Sequence, residues 1–419
     1  MNNRIFSSGA SIAIVGAGII GVASAFELSR RGFQVTVYDD SPVGEGGPSC
    51  ANAGHVVGSD IHPLSTPGIH WKALKMLMNV NAPLKIPLRH ALAQLPWFWR
   101  FWRTSQGQRF LTATQALSYL SHHTLTDNQV MFNAANMADK LTLKSCAFLY
   151  DTEASCNASR SSWAEKRAIG INSDLMNDAQ IRSQIALVSD DFKQGVLSHN
   201  WAIVSDPLEV VQSLAETSKL NGVEFKPTRV ENLCELKNAI QLKTTAGQFN
   251  HDGVIIAAGV HSKKIAESCG DFLPVTAERG YNVTLPTPGE TLDRPVVFAD
   301  RGIVATQLSS GLRIGGWAEY APPHRPVNQT YFESIARISA ELFPTANFEN
   351  AKFWMGNRPS MPDSVPVISK SAKASRVYYN CGHGHYGLSF AASSARIVSD
   401  LISGENGDNA YQYYSIQRF

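Results

Sequence analysis

Two triplets of glycine with one spacing stand near opposite ends of the chain. Gly16, Gly18 and Gly21 lie in IAIVGAGIIGVASA, and Gly382, Gly384 and Gly387 in NCGHGHYGLSF, each a G-x-G-x-x-G. In such a loop the first glycine permits a tight turn, the second lets a pyrophosphate approach the backbone, and the third lets a helix pack close to a strand. Phosphates then meet the free N–H groups and positive end of the helix. Ile19 and Ile20 fill the first loop, and Asp39 follows Gly16 by 23 residues, with Asp40 behind it. That offset is near the roughly 20 residues at which an acid accepts from a ribose hydroxyl. An acid there favours an unphosphorylated ribose, so FAD or NAD over NADP.

The elements that must hold this loop surround it. Ser11–Val15 is short and β-branched, as a buried parallel strand is. Val22–Arg31 reads as a helix stopped by Gly32, and Phe33–Tyr38 as a second strand. The run from Ile5 to Phe26 has no charge and reaches the length of a membrane helix. Its turn-spaced glycines, its strand and the charged ELSRRG behind it argue against a span.

Further along, SPVGEGGPSCANAGHVVGSD is long and rich in glycine, either laid along a ligand or a flexible surface loop. Residues from about 62 to 190 look largely helical, with few strand signals. There LPWFWRFWRTSQ packs Trp97, Phe98, Trp99, Phe101 and Trp102 around Arg100 and Arg103. This suits a membrane interface, or a buried helix face whose arginines reach out to water. Val254–Ala258 reads as a buried strand ending at Gly259. RGYNVTL, IVATQL and LRIGGWAEY suggest an antiparallel sheet. A last helix runs from Leu388 to Ser403, closed by Gly404.

With 44% hydrophobic and 17% charged residues, the 419-residue chain can bury a core. Its length calls for more than one lobe. A net charge of +2 without long basic runs gives no support for nucleic-acid binding. Cys50, Cys146, Cys156, Cys234, Cys269 and Cys381 form no C-x-x-C pair and show no metal spacing. They read as reduced thiols of a cytosolic protein, and no metal is expected. The start MNNRIFSSGAS lacks the pattern of a secretory signal.

Taken in order, the first glycine loop, SCANAGHV, IIAAGVHS, NRPSMPDSVPVI and NCGHGHYGLSFAASSARIVSDLISG resemble the D-amino-acid oxidase-type flavoproteins. Within them the chain is most similar to bacterial D-amino acid dehydrogenase small subunits. The resemblance implies an α/β fold: a discontinuous Rossmann-like FAD-binding domain (1–60, 195–268 and 350–419) with an inserted α+β substrate domain (61–194 and 269–349) containing an antiparallel sheet. It implies extended FAD, with Gly16, Gly18, Ile19, Ile20 and Gly21 at the pyrophosphate and Asp39 and Asp40 at the adenosine ribose. Ser49, Ala51, Asn52, Ala53 and Gly54 match the loop beside pyrophosphate and flavin. Val230 matches the position whose backbone meets adenine, and Ala258 and Gly259 the strand end beneath the cofactor. Arg358 matches the arginine that grips a substrate carboxylate, a task suited to a planar guanidinium. Its structural alternative is an ion pair with Asp363 or another acid. Arg279 is a second candidate. Tyr281 either hydrogen-bonds substrate or packs in the sheet.

The implied reaction is oxidation of a D-amino acid by hydride transfer from its α-carbon to flavin N5, giving an imino acid and then a 2-oxo acid. The electrons would pass to a quinone or other carrier. Alternatives are cis-4-hydroxy-D-proline, D-proline, glycine or sarcosine as substrate, oxygen as acceptor, or a non-catalytic flavin-binding subunit. His55 and His383 could touch the flavin or be structural. Cys381 does not match the position of covalent flavin attachment, so FAD is expected to be non-covalent. Peripheral contact with the inner face of the cell membrane, and homo- or hetero-oligomers, stay open. The second loop, with Gly382, His383, Gly384, Gly387 and Leu388, follows a strand and opens a helix, but no ribose acid follows it. It is expected to serve the flavin end of the same cofactor, or to be a packing turn.

Overall fold

The computed structural model describes residues 6–69, 84–289, 291–405 and 407–419; Ile5 lies outside them. Ser11–Val15 forms as a buried strand and Ile19–Arg30 as the helix behind it. The helix starts three residues earlier than the sequence suggests, because Gly18 already serves as its N-cap. The strand Gln34–Asp39 lies parallel to the first. On the other side of Ser11–Val15 stands Gly253–Ile256, then Val377–Cys381, both parallel. Glu224–Pro227 closes one edge in parallel, and Val367–Lys370 the other in antiparallel sense. Ser11–Val15 is therefore the point where strand order reverses, and such sheets bind ligands beyond the strand ends there.

The second large sheet runs Lys352–Ser360, Thr276–Leu285, Gly311–Tyr320, Ile303–Leu308, Val296–Phe298, Cys146–Tyr150, Gln194–Ser198 and Ser173–Asn177. Most pairs are antiparallel, with a parallel step between Val296–Phe298 and Cys146–Tyr150. The divisions drawn at 195 and 350 both meet this sheet, since Gln194–Ser198 and Lys352–Ser360 are members of it. Among the described residues the stretch 62–190 is largely helical, as read, and also supplies Cys146–Tyr150 and Ser173–Asn177. The first alternates too little for a half-buried strand because it is almost wholly buried.

Alternation along Thr276–Leu285 decides what each residue meets. Tyr281, Val283 and Leu285 face a core shared with the helix Gln329–Leu342. Arg279 points the same way and is fully buried, 3.0 Å from Glu319. The Arg279 Nη2 group also donates to the Arg325 and Pro326 carbonyls. Tyr281 donates to Glu319 at 2.6 Å, and Arg325 reaches the other carboxylate oxygen at 2.6 Å. Burial and the adjacent carboxylate push the Tyr281 phenol well up. A buried charge is tolerated only when paired. Glu319→Leu would strand Arg279 in the core, so it should lower stability by about 3–5 kcal/mol, read as a fall in the urea midpoint.

Candidate active site

Three turns meet at one edge of the parallel sheet. Val15, Ile256 and Cys381 are the last residues of three adjacent parallel strands, so the turns beyond them converge. Gly16 has φ +112°, and a Cβ on it would lie 2.5 Å from the Ala257 carbonyl oxygen. A Cβ on Gly21 would sit 1.9 Å from the Gly16 oxygen. Alanine at either position would push the helix away from the strand. Gly18 has only the Ser49 hydroxyl nearby. The helix Ile19–Arg30 has no side-chain cap and no acid in its first turn, so its N–H groups remain suited to an anion. One is used: Ile19 N donates to Ser49 Oγ at 3.0 Å.

Asp39 accepts from Ala17 N at 2.8 Å and Ser41 N at 2.9 Å, which fixes its carboxylate beside the glycine turn. Asp40 is turned outward and pairs with Arg229. The loop after Ser49 is tied to the second sheet. Asn282 donates to the Ala51 carbonyl at 2.7 Å, and Arg313 to the Asn52 carbonyl at 2.8 Å. Asn52 accepts from Gly54 N; Ala53, between them, is half-buried. Val230 is buried beside Ala258, and Gly259 opens a short helical turn.

The strand that leads into the second glycine loop is tied to the first helix. Asn380 donates to Ser24 of the first helix at 3.0 Å. The helix Gly387–Ser403 also lacks a side-chain cap and an acid in its first turn. Leu388 is buried, and Ser389 accepts from Val57 N. Burial lowers His383 to about 3, so its ring is neutral, and among the described residues its Nε2 finds no partner. His55 is likewise lowered to about 3 by burial; it bonds Thr306 and meets Trp201 edge-on. Burial pushes the Cys381 thiol up to about 12, which suppresses its thiolate.

On the opposite face of Thr276–Leu285 from Arg279 lie Glu278, Gly280 and Asn282. Register sets Arg358 directly across from Glu278. The Arg358 Nη1 group donates to Glu278 at 3.0 Å and to the Trp317 carbonyl at 3.2 Å. Its fork lies over Gly280, where a Cβ would come within 2.3 Å of the guanidinium carbon. Among the described residues both bonds use Nη1, and the Nε–Nη2 side of the fork has no partner. Asp363, one considered partner, instead pairs with Arg418. Arg279 and Tyr281, expected beside Arg358, belong to the other face. Strand alternation separates them from it, and Glu319 occupies both.

Sequence reasoning passed over Glu278 and His385. Glu278 is buried and accepts from Arg358, from Ser360 at 2.6 Å and from Tyr320 at 3.2 Å, while His385 Nε2 lies 2.6 Å away. Burial alone would raise this carboxyl. The His385 contact, the Arg358 charge and the Ser360 hydroxyl outweigh it and hold the group well below the usual carboxylate range. The signal was present in ERGYNV: in a strand, Glu278 and Gly280 cannot share a face with Arg279.

A model of the FAD dependent oxidoreductase family matches residues 11–401. The chain belongs to this family. Among curated relatives, a D-amino acid dehydrogenase of Cereibacter sphaeroides is 31% identical over 97% of this chain and 95% of its own. A D-amino-acid oxidase of Bradyrhizobium diazoefficiens is 27% identical over 98% and 99%. In fold the chain is similar to glycine oxidase from Geobacillus kaustophilus, with a TM-score of 0.79 at 18% identity, covering 99% of this chain and all of that one. FAD is thus the cofactor, and the residues present fit it: a glycine cradle that a Cβ would fill and two helix N-termini without caps. Gly280→Ala should leave FAD content intact. It should weaken binding of a simple carboxylate, benzoate, about ten- to a hundredfold, the worth of a charged hydrogen bond, read from the flavin spectrum during titration.

Proposed function

We propose that this family member catalyses FAD-dependent oxidative deamination of D-amino acids. The observation that carries the reading is Arg358, held flat over Gly280 with one side of its fork free, in a chain whose curated relatives are named for D-amino acids. In this reading the first glycine loop and the Ser49–Gly54 loop hold the pyrophosphate, with Asp39 at the ribose. Asp40 has only an outer role through Arg229. Arg358 binds the substrate carboxylate in two parallel bonds and so fixes the direction of the Cα–H. Bound FAD supplies the hydride acceptor. Tyr320 and Trp97, packed on each other, wall the cleft that Ser360 and His385 border. The imino acid leaves and is hydrolysed to a 2-oxo acid.

The named fold neighbours also include glycine oxidase and L-proline dehydrogenase, which supports a small or cyclic amino acid as a second reading. An anaerobic titration of the yellow holoenzyme with D-alanine, D-proline, glycine and the L-forms separates these. Bleaching by D-alanine but not L-alanine is expected. Arg358→Ala should raise KM for the D-amino acid on the order of a hundredfold or more; an unchanged KM would remove Arg358 from substrate binding.

We assign the electrons to a quinone or other carrier at the inner face of the membrane. Among the described residues no helix is long and apolar enough to cross a membrane. The helix Leu88–Thr104, however, buries Trp97 against Tyr320 while exposing Leu92, Leu95, Trp99 and Trp102 as one stripe beside exposed Arg103. An apolar stripe edged by arginine suits an anionic lipid surface. The wild type should sediment with vesicles of anionic lipid. Leu92→Glu with Trp99→Glu should abolish that while activity with a soluble dye acceptor persists. Reoxidation of the reduced enzyme by dissolved oxygen within milliseconds would instead make it an oxidase.

A further inference from the structure

Arg358 and His385 meet on one atom. Glu278 Oε1 lies 3.0 Å from Arg358 Nη1 and 2.6 Å from His385 Nε2. An imidazole nitrogen and a carboxylate oxygen approach this closely only with a proton between them, so Nε2 carries hydrogen. In the neutral ring the lone pair is then on Nδ1. Among the described residues His385 has no other hydrogen-bond partner, and its ring borders the cleft formed with Trp97, Tyr320, Ser360 and Met361. The other oxygen of Glu278 is taken by Ser360 and Tyr320. Glu278 therefore has no capacity left for a ligand and acts only through the residues it holds.

An α-amino acid arrives as a zwitterion, and its ammonium cannot form C=N until it loses a proton. Its nitrogen and carboxylate share one carbon. A carboxylate on the free side of Arg358 therefore brings the nitrogen within a few ångströms of the Arg358–Glu278–His385 junction. We propose that His385 is a catalytic residue that takes the ammonium proton on Nδ1, and that Glu278 is a positioning residue serving both ends of the zwitterion, Arg358 for the carboxylate and His385 for the nitrogen. This rests on the function proposed above. In the step, an N–H bond breaks and an Nδ1–H bond forms. The electron pair left on nitrogen makes the C=N bond as hydride leaves Cα for the cofactor, and the imidazolium that results is stabilised by Glu278.

The charged and titratable groups around His385 allow this. From Thr276–Leu285 it faces Glu278, held ionised, and from Lys352–Ser360 the fixed positive charge of Arg358. Tyr320 from Gly311–Tyr320 and Tyr386 from its own turn are kept neutral, because burial raises both well above the usual phenol range. His383, on the same turn, is neutral because burial lowers it to about 3. Helix Leu88–Thr104 contributes Trp97 and Phe101, which carry no charge. His385 is thus the member of the group that turns a ring nitrogen not engaged by Glu278 to the cleft.

The test is the pH profile of kcat/KM for D-alanine in the holoenzyme. Wild type should lose activity on an acid limb as His385 becomes protonated. His385→Gln should fall about 10²- to 10⁴-fold at neutral pH and recover towards wild type as pH rises and the substrate amine loses its proton unaided. Glu278→Gln removes the anion that favours imidazolium, so its acid limb should move to lower pH. The Gln side chain keeps the bonds: its oxygen still accepts from Arg358, and the Ser360 and Tyr320 hydroxyls can turn to accept from its amide. A His385→Gln deficit of one size at every pH would overturn the proposal. So would ¹⁵N spectra of wild-type holoenzyme that place the His385 proton on Nδ1. The spectra need no turnover and no variant, so they also separate this proposal from the functional reading, which fails if no D-amino acid bleaches the flavin.

Discussion

The parallel ladder through Ser11–Val15, Gly253–Ile256 and Val377–Cys381 is the constraint on which the site depends. Parallel pairing sends three strands from distant parts of the sequence to the same edge, so Gly16, Ala258 and Gly382 become neighbours without any direct bond among them. Two helices then start from that edge with bare N-termini. Orphan N–H groups at a buried helix start are costly unless something accepts from them. Side chains supply little of that: Ser49 for one helix, and no cap for the other. The edge is built for an acceptor that comes from outside the chain.

A second constraint is the cost of burying charge. Glu278 and Glu319 sit on opposite faces of the second sheet and are each almost wholly buried. Each is matched by an arginine on the neighbouring strand and by hydroxyl donation, from Tyr281 to Glu319 and from Ser360 and Tyr320 to Glu278, as an acid away from water must be. The two networks differ in one respect. The Glu319 set packs against the helix Gln329–Leu342, with Arg279 fully enclosed and Arg325 reaching the surface. The Glu278 set opens to a cleft, with Arg358 and His385 both partly accessible. The same chemistry therefore gives a fully enclosed arginine on one face and a partly accessible one beside a cleft on the other.

This explains what could be read in the sequence and what could not. The first glycine loop with its two flanking strands, helix and acid is contiguous in sequence, and spacing alone exposes it, although Ala257 also crowds Gly16. The order of family motifs carries the fold. The substrate side is non-local. Arg358 is legible as a type of residue, but its partner lies 80 positions away, and only the register of two strands brings them opposite each other. Arg279 and Tyr281 attracted attention because polar residues in a strand suggest function. Period-two alternation would have moved that attention to Glu278. The aromatic run at 97–103 could not be divided without knowing which side of its helix Tyr320 covers.

The two glycine loops share a spacing but face different tasks. The Gly16 loop has an acid fixed at its mouth, Asp39, and a cradle that any side chain would fill, which suits a permanent charge such as a pyrophosphate. The Gly382 loop has no such acid. Instead it presents a neutral, buried histidine whose Nε2 has no partner among the described residues, and an uncapped helix behind it. An uncapped helix start stabilises negative charge without a fixed counter-ion. That arrangement suits charge that appears only while a reaction proceeds. Two residues beyond His383, His385 meets the buried Glu278 and takes on the opposite character, a ring whose proton is held by an anion. Burial with and without a carboxylate partner thus gives two histidines of one short turn different electrostatic roles.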